Sequence, residues 1–351
     1  MVALYMISWG EAAGKTALCV GTGQYLQDKG KKVAYLKPLS VVPQSIGGID
    51  EDSQFVKQAL ELEEPKGTLC LNLVPGQTLK ARLAEDDFYH PLRQAYNQVA
   101  QDVDVVLVEG LGGLGQDLDM ALASQQIVEI LDAKVILVVR YSPPLPWAMI
   151  ASTCERFGKH LLGIVINQVP KAGIESASRG MISLFGREGI EVLGVLPEER
   201  KLLTVSIAEL AEHLEAAILC CAEASSELVE NVMLGALCVD SGADYFERKA
   251  GKVVVTRGER PDIQLAALAT STKCLVLTGN VPPLPQVLYW AQDKGVPILL
   301  AKQDTLAVEE KIEQALVESR FRQPKKLNPL KEILGQYFDF ATLYHGLGLA
   351  N

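Results

Sequence analysis

Ser8-Trp9-Gly10-Glu11-Ala12-Ala13-Gly14-Lys15-Thr16 is the stretch that decides the fold. It follows the apolar run VALYMIS (2–8) and precedes an amphipathic stretch at 15–28, which makes it a strand–turn–helix connection. Small residues in such a turn let backbone N–H groups curl around phosphate oxygens. A lysine then reaches the β and γ phosphates, and a Ser or Thr hydroxyl serves Mg2+. The helix N-terminus adds its partial positive charge. Gly14, Lys15 and Thr16 meet these needs, with Gly10, Ala13 and Ala17 as further backbone donors. The leading glycine of the regular phosphate-loop pattern, five residues before Gly14, is Trp9 here.

Outward from that loop, short β-rich apolar runs alternate with helical patterns. The runs are 2–8, 32–37, 104–108, 134–139, 161–167 and 191–196, and the helical stretches are 15–28, 51–62, 88–101, 120–132, 146–157 and 176–188. Continuous apolar runs mean strands buried on both faces, as in a parallel sheet covered by helices. Ligands bind such sheets beyond the carboxyl ends of the strands, so polar residues at those ends are the candidates. Glu109 closes VDVVLVE before a glycine-rich turn, where it is either a metal carboxylate or a surface acid ending a strand. Asp50-Glu51-Asp52-Ser53 starts a helix, and its acids either serve a metal, with Asp52 as the candidate, or cap the helix. Lys37, extended before Pro38, either contacts an anionic substrate or ends a strand in solvent. Asn167, closing GIVIN, either bonds a base edge or caps a turn.

A second α/β series begins after the charged stretch EERKLLTV (198–205). Its strands are expected at 216–221, 232–239, 252–256, 273–278 and 297–301, and its helices at 206–214, 241–249, 262–269, 284–293 and 306–318. In this series Thr256-Arg257-Gly258-Glu259-Arg260-Pro261-Asp262 runs from strand to helix, and Thr278-Gly279 ends the next strand. The loop is either an anion site built from N–H groups and arginines or an ordinary connection with Asp262 as N-cap. Residues 321–351 form a tail in which Asn328-Pro329 resembles a helix start. The helix either packs on its own chain or docks a protein partner or a second subunit. The expected domains are therefore 1–202, 203–320 and a helical tail at 321–351. The fold class is α/β, with a phosphate-loop NTPase-like parallel sheet and then a smaller α/β domain.

Composition narrows the function. A formal charge of −10 argues against a nucleic-acid binder, which shows a basic face to phosphates. Seven cysteines lack any CxxC pair and only four histidines are present, so no zinc spacing exists. Free thiols, no secretory signal and no apolar run of membrane-spanning length lead us to expect a cytoplasmic protein without a membrane partner.

The N-terminal GKT loop, VAYLKP, the acids near Asp52, VLVEGLGG, GIVINQV and GVLP together resemble dethiobiotin synthetase and the amidotransferase-type synthetases of cobyrinate over about residues 1–200. They resemble more closely the synthetase-like domain that precedes a DRTGG-type domain in some phosphate acetyltransferases. VVVTRGERPDIQLAAL and CLVLTGNVPPLPQVL are similar to that DRTGG-type domain. The resemblance implies ATP and Mg2+ as cofactors, Lys15 and Thr16 on phosphates and metal, Asp52 and Glu109 as metal carboxylates, Asn167 at the adenine, and a homodimer. It also implies a regulatory second domain. The loop departs from the synthetases in reading SWGEAA, and from the division-site ATPases in having Gly10 where they carry a lysine. Three readings follow. The first is a MgATP-binding regulatory protein with weak or no hydrolysis. The second is a synthetase that activates a carboxylate or carbamate, with Lys15 and Lys37 catalytic. The third is a scaffold with a decayed loop. Acetyl transfer is not expected.

Overall fold

The computed structural model describes residues 1–41, 50–63, 73–74, 89–115, 117–235, 242–317 and 319–349. The chain divides into two compact units, Met1–Glu199 with Phe321–Asn351, and Arg200–Arg320.

The first unit is built on a six-stranded sheet. Its strands are β1 (Val2–Ser8), β2 (Val33–Leu36), β3 (Val105–Glu109), β4 (Lys134–Arg140), β5 (Leu161–Val169) and β6 (Val192–Pro197), in the order β2-β3-β1-β4-β5-β6. Every pairing is parallel, so all six carboxyl ends share one edge. The six apolar runs of the sequence are these six strands. Five residues of β3 and six of the seven in β1 are buried, because helices cover both faces. Successive strands first fill one side of β1 and then, from β4, the other. The direction of winding reverses beside β1, where open α/β sheets form a ligand crevice.

The helices that matter for the site are α1 (Lys15–Asp28), which follows β1, and α2 (Glu51–Ala59). Helices α3 (Tyr89–Val99), α4 (Leu118–Leu131), α5 (Trp147–Glu155) and α6 (Ile174–Arg187) complete the layers.

Residues 321–351, expected as a tail of their own, group with the first unit. The apolar face of their main helix, Leu327–Tyr337, is buried there through Leu330, Ile333 and Leu334. It crosses α1 at Gly21, where an added Cβ would lie 2.1 Å from Leu334. A glycine inside a helix costs about 1 kcal/mol relative to alanine, and here that cost permits the close crossing. The segment then bonds to β6 through Asp339 N on Leu193 O at 2.7 Å, and Phe340 stacks on Tyr25 of α1 at 3.8 Å.

The second unit has a five-stranded sheet. Strands β7 (Ala217–Cys220), β8 (Asn231–Leu234), β9 (Lys252–Arg257), β10 (Thr272–Thr278) and β11 (Ile298–Leu300) lie in the order β7-β11-β10-β9-β8. All pairs are parallel except β7–β11. That antiparallel edge is a feature the apolar runs do not disclose. Of the expected strand 232–239, residues 236–239 lie outside the described residues. Helices α7 (Ile207–His213), α8 (Gly242–Glu247), α9 (Pro261–Leu268), α10 (Pro285–Lys294) and α11 (Thr305–Val317) connect the strands. The first of these starts on a capping box between Ser206 and Glu209. In the first unit's terminal segment, α12 (Leu327–Tyr337) and α13 (Phe340–Gly346) complete the chain.

Candidate phosphate-binding site

At the carboxyl end of β1 the chain turns sharply into α1. Ser8 donates its hydroxyl to Gly10 O at 2.6 Å, and Trp9 N donates to Val138 O at 3.0 Å. The unusual Trp9 is accommodated by Gly115, where an added Cβ would fall 2.3 Å from the indole. Ala12 and Gly14 take left-handed φ values of 48° and 92°. Gly14 is constrained twice, since an added Cβ would also lie 2.5 Å from Asn167 Nδ2. No side chain caps α1, and the first helical bond is Leu18 N on Gly14 O at 3.0 Å. Among the described residues, the N–H groups of Gly14, Lys15, Thr16 and Ala17 are therefore claimed by no backbone carbonyl. Unclaimed donors on a positive helix end make an anion cradle.

Lys15 folds back over this turn and donates to Ser8 Oγ at 2.9 Å. Burial holds its pKa below the ordinary lysine value, although the Glu109 carboxylate works in the opposite direction. Thr16 donates to Glu109 Oε1 at 2.8 Å, and Tyr35 donates to Glu109 Oε2 at 2.8 Å. The expected pair of Thr16 and Glu109 is thus brought together, with both ends of the carboxylate engaged.

Lys37 lies beside them, buried. Its ammonium is 3.0 Å from Asp50 Oδ2, 3.4 Å from Asp52 Oδ2 and 4.0 Å from Glu109 Oε1. Burial alone would lower its pKa, but Glu109, Asp52 and Asp50 together outweigh burial and raise it above the ordinary value. Asp50 also caps α2 by accepting from Ser53 N at 2.7 Å, and it accepts from Ser40. Burial pushes the Asp50 carboxyl up, whereas Lys37 and these hydrogen bonds pull it further down, so its pKa lies below the usual range. Of the acids in this segment, Asp50 is the helix cap, and Asp52 faces Lys37.

Asp52 also accepts from Arg322 Nε at 2.7 Å, and the same guanidinium pairs with Glu51. Arg322 is a site residue that the sequence reading missed. It stands 270 positions from its partner, and no local pattern marks it.

Asn167 donates to Ala13 O at 2.9 Å and accepts from Gln168 N at 2.9 Å. In this structure its amide braces the phosphate loop. Among the described residues, no group of three or more His, Cys, Asp or Glu side chains is arranged to hold a metal ion. The residues present suit Mg2+ rather than a caged ion, because Mg2+ takes one or two carboxylates and completes its shell with water and phosphate oxygens.

The corresponding edge of the second unit is different. Thr256 donates to Gly235 O at 3.1 Å, and the Thr278 and Thr305 hydroxyls lie 3.0 Å apart. Arg260 is committed to Asp262, with Nη2 on Oδ2 at 2.7 Å. Gly258 is pressed under Val281, where an added Cβ would lie 2.2 Å from the Val281 carbonyl oxygen. The buried Gln264, not singled out from the sequence, donates to Arg257 O and Gly258 O at 2.9 and 3.0 Å. Gly279 has φ 79° and donates to Gln303 O at 2.9 Å. Arg257 presents an exposed side chain. The N-cap is Arg260 with Pro261 at the first helical position, and Asp262 sits one residue further in, so of the two readings of this loop the one with Asp262 as the cap is corrected in that detail. The reason is steric: proline fits the first turn of a helix and sets where it begins.

Residues 2–206 match the AAA domain family, and residues 209–315 match the DRTGG domain. The chain belongs to the AAA domain family. The expected order, a phosphate-loop domain followed by a DRTGG domain, is what these matches give. The chain is similar to the phosphate acetyltransferase of Nitrosomonas europaea, at 24% identity over 85% of this chain and 45% of that one. It is also similar to the phosphate acetyltransferase of Pseudomonas aeruginosa, at 23% identity over 99% of this chain and 52% of that one. The chain thus spans about half the length of the curated relatives it matches. Among solved structures, cobyrinic acid a,c-diamide synthase from Mycobacterium smegmatis with bound ADP and magnesium matches with a TM-score of 0.38 and 14% identity. That match covers 57% of this chain and 88% of that one. Among the described residues, no helix of this AAA domain protein is long and apolar enough to cross a membrane.

Proposed function

We propose that the first unit binds ATP with Mg2+ at the β1–α1 turn and that the second unit regulates or senses, with weak or no hydrolysis. The observation that carries this reading is the set of unclaimed N–H groups from Gly14 to Ala17, with Lys15 beside them and the Thr16 hydroxyl on Glu109. In it, backbone donors and Lys15 take the β and γ phosphates. Thr16 and Glu109, with Asp52 nearby, take the divalent ion, directly or through water.

Binding is favoured over synthetase chemistry because Lys37 is not available to an acceptor anion. Its ammonium is buried among three carboxylates, so a substrate carboxylate would have to displace them. The alternative, an ATP-dependent synthetase, requires that cluster to open. A protein held together without membrane anchoring and working as a dimer in the cytoplasm fits the same reading.

Calorimetric titration with ATP, ADP and AMP, with and without Mg2+, tests the proposal. Magnesium-dependent ATP binding that Lys15→Ala removes is the expected result. No ATP binding up to millimolar concentration leaves a scaffold with a decayed loop.

A further inference from the structure

The acid side of the site depends on a residue from the far end of the chain. Arg322 Nε is 2.7 Å from Asp52 Oδ1, and the other Asp52 oxygen is 3.4 Å from Lys37 Nζ. Lys37 in turn lies 4.0 Å from Glu109 Oε1, which accepts from Thr16 at 2.8 Å. One line of contacts therefore runs from Arg322 to the second residue of α1. The Arg322 side chain is only 18% exposed. Its seat is fixed by Phe321, whose ring meets Phe55 of α2 edge-on at 5.6 Å, and by the packing of α12 along α1.

We propose that Arg322 is a positioning residue for the divalent cation of the nucleotide site. This rests on the nucleotide reading above. The guanidinium is a planar fork that holds Asp52 with one nitrogen and Glu51 with another. It fixes the orientation of Asp52 and keeps the second oxygen turned toward Lys37 and Glu109. Without it, the carboxylate turns freely to water or closes on Lys37 and draws that ammonium away from Glu109. Either change disturbs the carboxylates on which the cation depends, while the N–H cradle and Lys15 stay as they are. The magnesium-dependent part of nucleotide affinity is then conditional on the seating of residues 321–322.

The test uses the full chain. ATP is titrated calorimetrically into wild type, Arg322→Gln and Arg322→Lys, with and without Mg2+, and thermal melts check that each variant is folded. Arg322→Gln is expected to weaken ATP binding in Mg2+ by about 10–100-fold, the usual scale for an outer partner of a metal carboxylate. Its affinity without Mg2+ should stay within about twofold of wild type. Arg322→Lys keeps the charge but loses the fork, so it should fall between the two. Binding by Arg322→Gln within about twofold of wild type in Mg2+ overturns the proposal. So does an equal loss with and without Mg2+, which marks a structural role. If the glutamine variant does not fold, the lysine variant decides by the same criterion. Failure of wild type to bind ATP defeats the nucleotide reading and this inference together; binding by wild type with Arg322→Gln unaffected defeats this inference alone.

Discussion

The parallel sheet of the first unit and the mostly parallel sheet of the second present the same kind of edge, yet the two turns leave their polar groups in different states. Both edges carry a strand–turn–helix connection with glycines, a threonine and a basic residue. At the β1–α1 turn no backbone carbonyl among the described residues claims the N–H groups of Gly14 to Ala17. At the β9–α9 turn most side chains are engaged locally: Arg260 holds Asp262, the Gln264 amide nitrogen holds two carbonyls while its Oε1 is buried without a partner among the described residues, and Thr278 meets Thr305. A glycine-rich turn at a sheet edge is therefore only an opportunity. Whether local partners consume its donors decides what it does.

The largest expected contrast is in ligand affinity. Lys15→Ala should weaken ATP binding at least ~100-fold, on the scale of lost charge-assisted phosphate bonds, whereas Arg257→Ala should change it by less than about twofold. Calorimetry on both variants checks this, and equal effects would erase the distinction between the edges.

Glycines sharpen the comparison. Gly14→Ala combines a left-handed φ of 92° with a clash on Asn167, while Gly279→Ala meets a φ of 79° in open space. The second variant should cost about 1–2 kcal/mol from backbone strain alone. The first should cost more, and it should also weaken ATP binding because the cradle shifts. Thermal melts read the stabilities and titration reads the cradle.

Gln264→Leu tests the closed edge from inside. It leaves the carbonyls of Arg257 and Gly258 without their donor and should cost about 1–3 kcal/mol in stability. ATP affinity should not move. A loss of ATP binding in this folded variant would mean that the second edge serves the nucleotide after all.

The smallest effect concerns acid. Asp50 and Asp262 both titrate below the usual carboxylate range, Asp50 chiefly through Lys37 set against burial and Asp262 chiefly through its hydrogen bond from Arg260. A carboxyl with a depressed folded pKa contributes stability that is complete above the unfolded value of about 3.9 and is lost as pH falls through the folded value. Asp50→Asn should therefore flatten the decline of melting temperature below about pH 4. Asp262→Asn, at a surface pair, should alter stability by no more than about 1 kcal/mol. Melts from pH 6 to pH 3 distinguish the two.

The sheet was legible because six continuous apolar runs leave few alternatives to a covered parallel sheet. From that sheet the positions of Lys15, Thr16, Lys37 and Glu109 at one edge followed, since parallel strands end together. What was not legible is pairwise. Trp9 needs Gly115 opposite, Lys37 is saturated by three acids from two segments, and Arg322 reaches Asp52 from the far end of the chain. Periodicity carries no information on such partners. The second edge was open to two readings for the same reason, because the partners at its turn, Gln264 and Thr305, lie outside the turn.

Amide hydrogen exchange of the full chain with and without MgATP tests the central contrast most directly. Slowed exchange at residues 10–18, with residues 257–264 and 278–280 unchanged, is the result this account predicts. Protection confined to the second edge, or no protection at 10–18 at saturating MgATP, would contradict it.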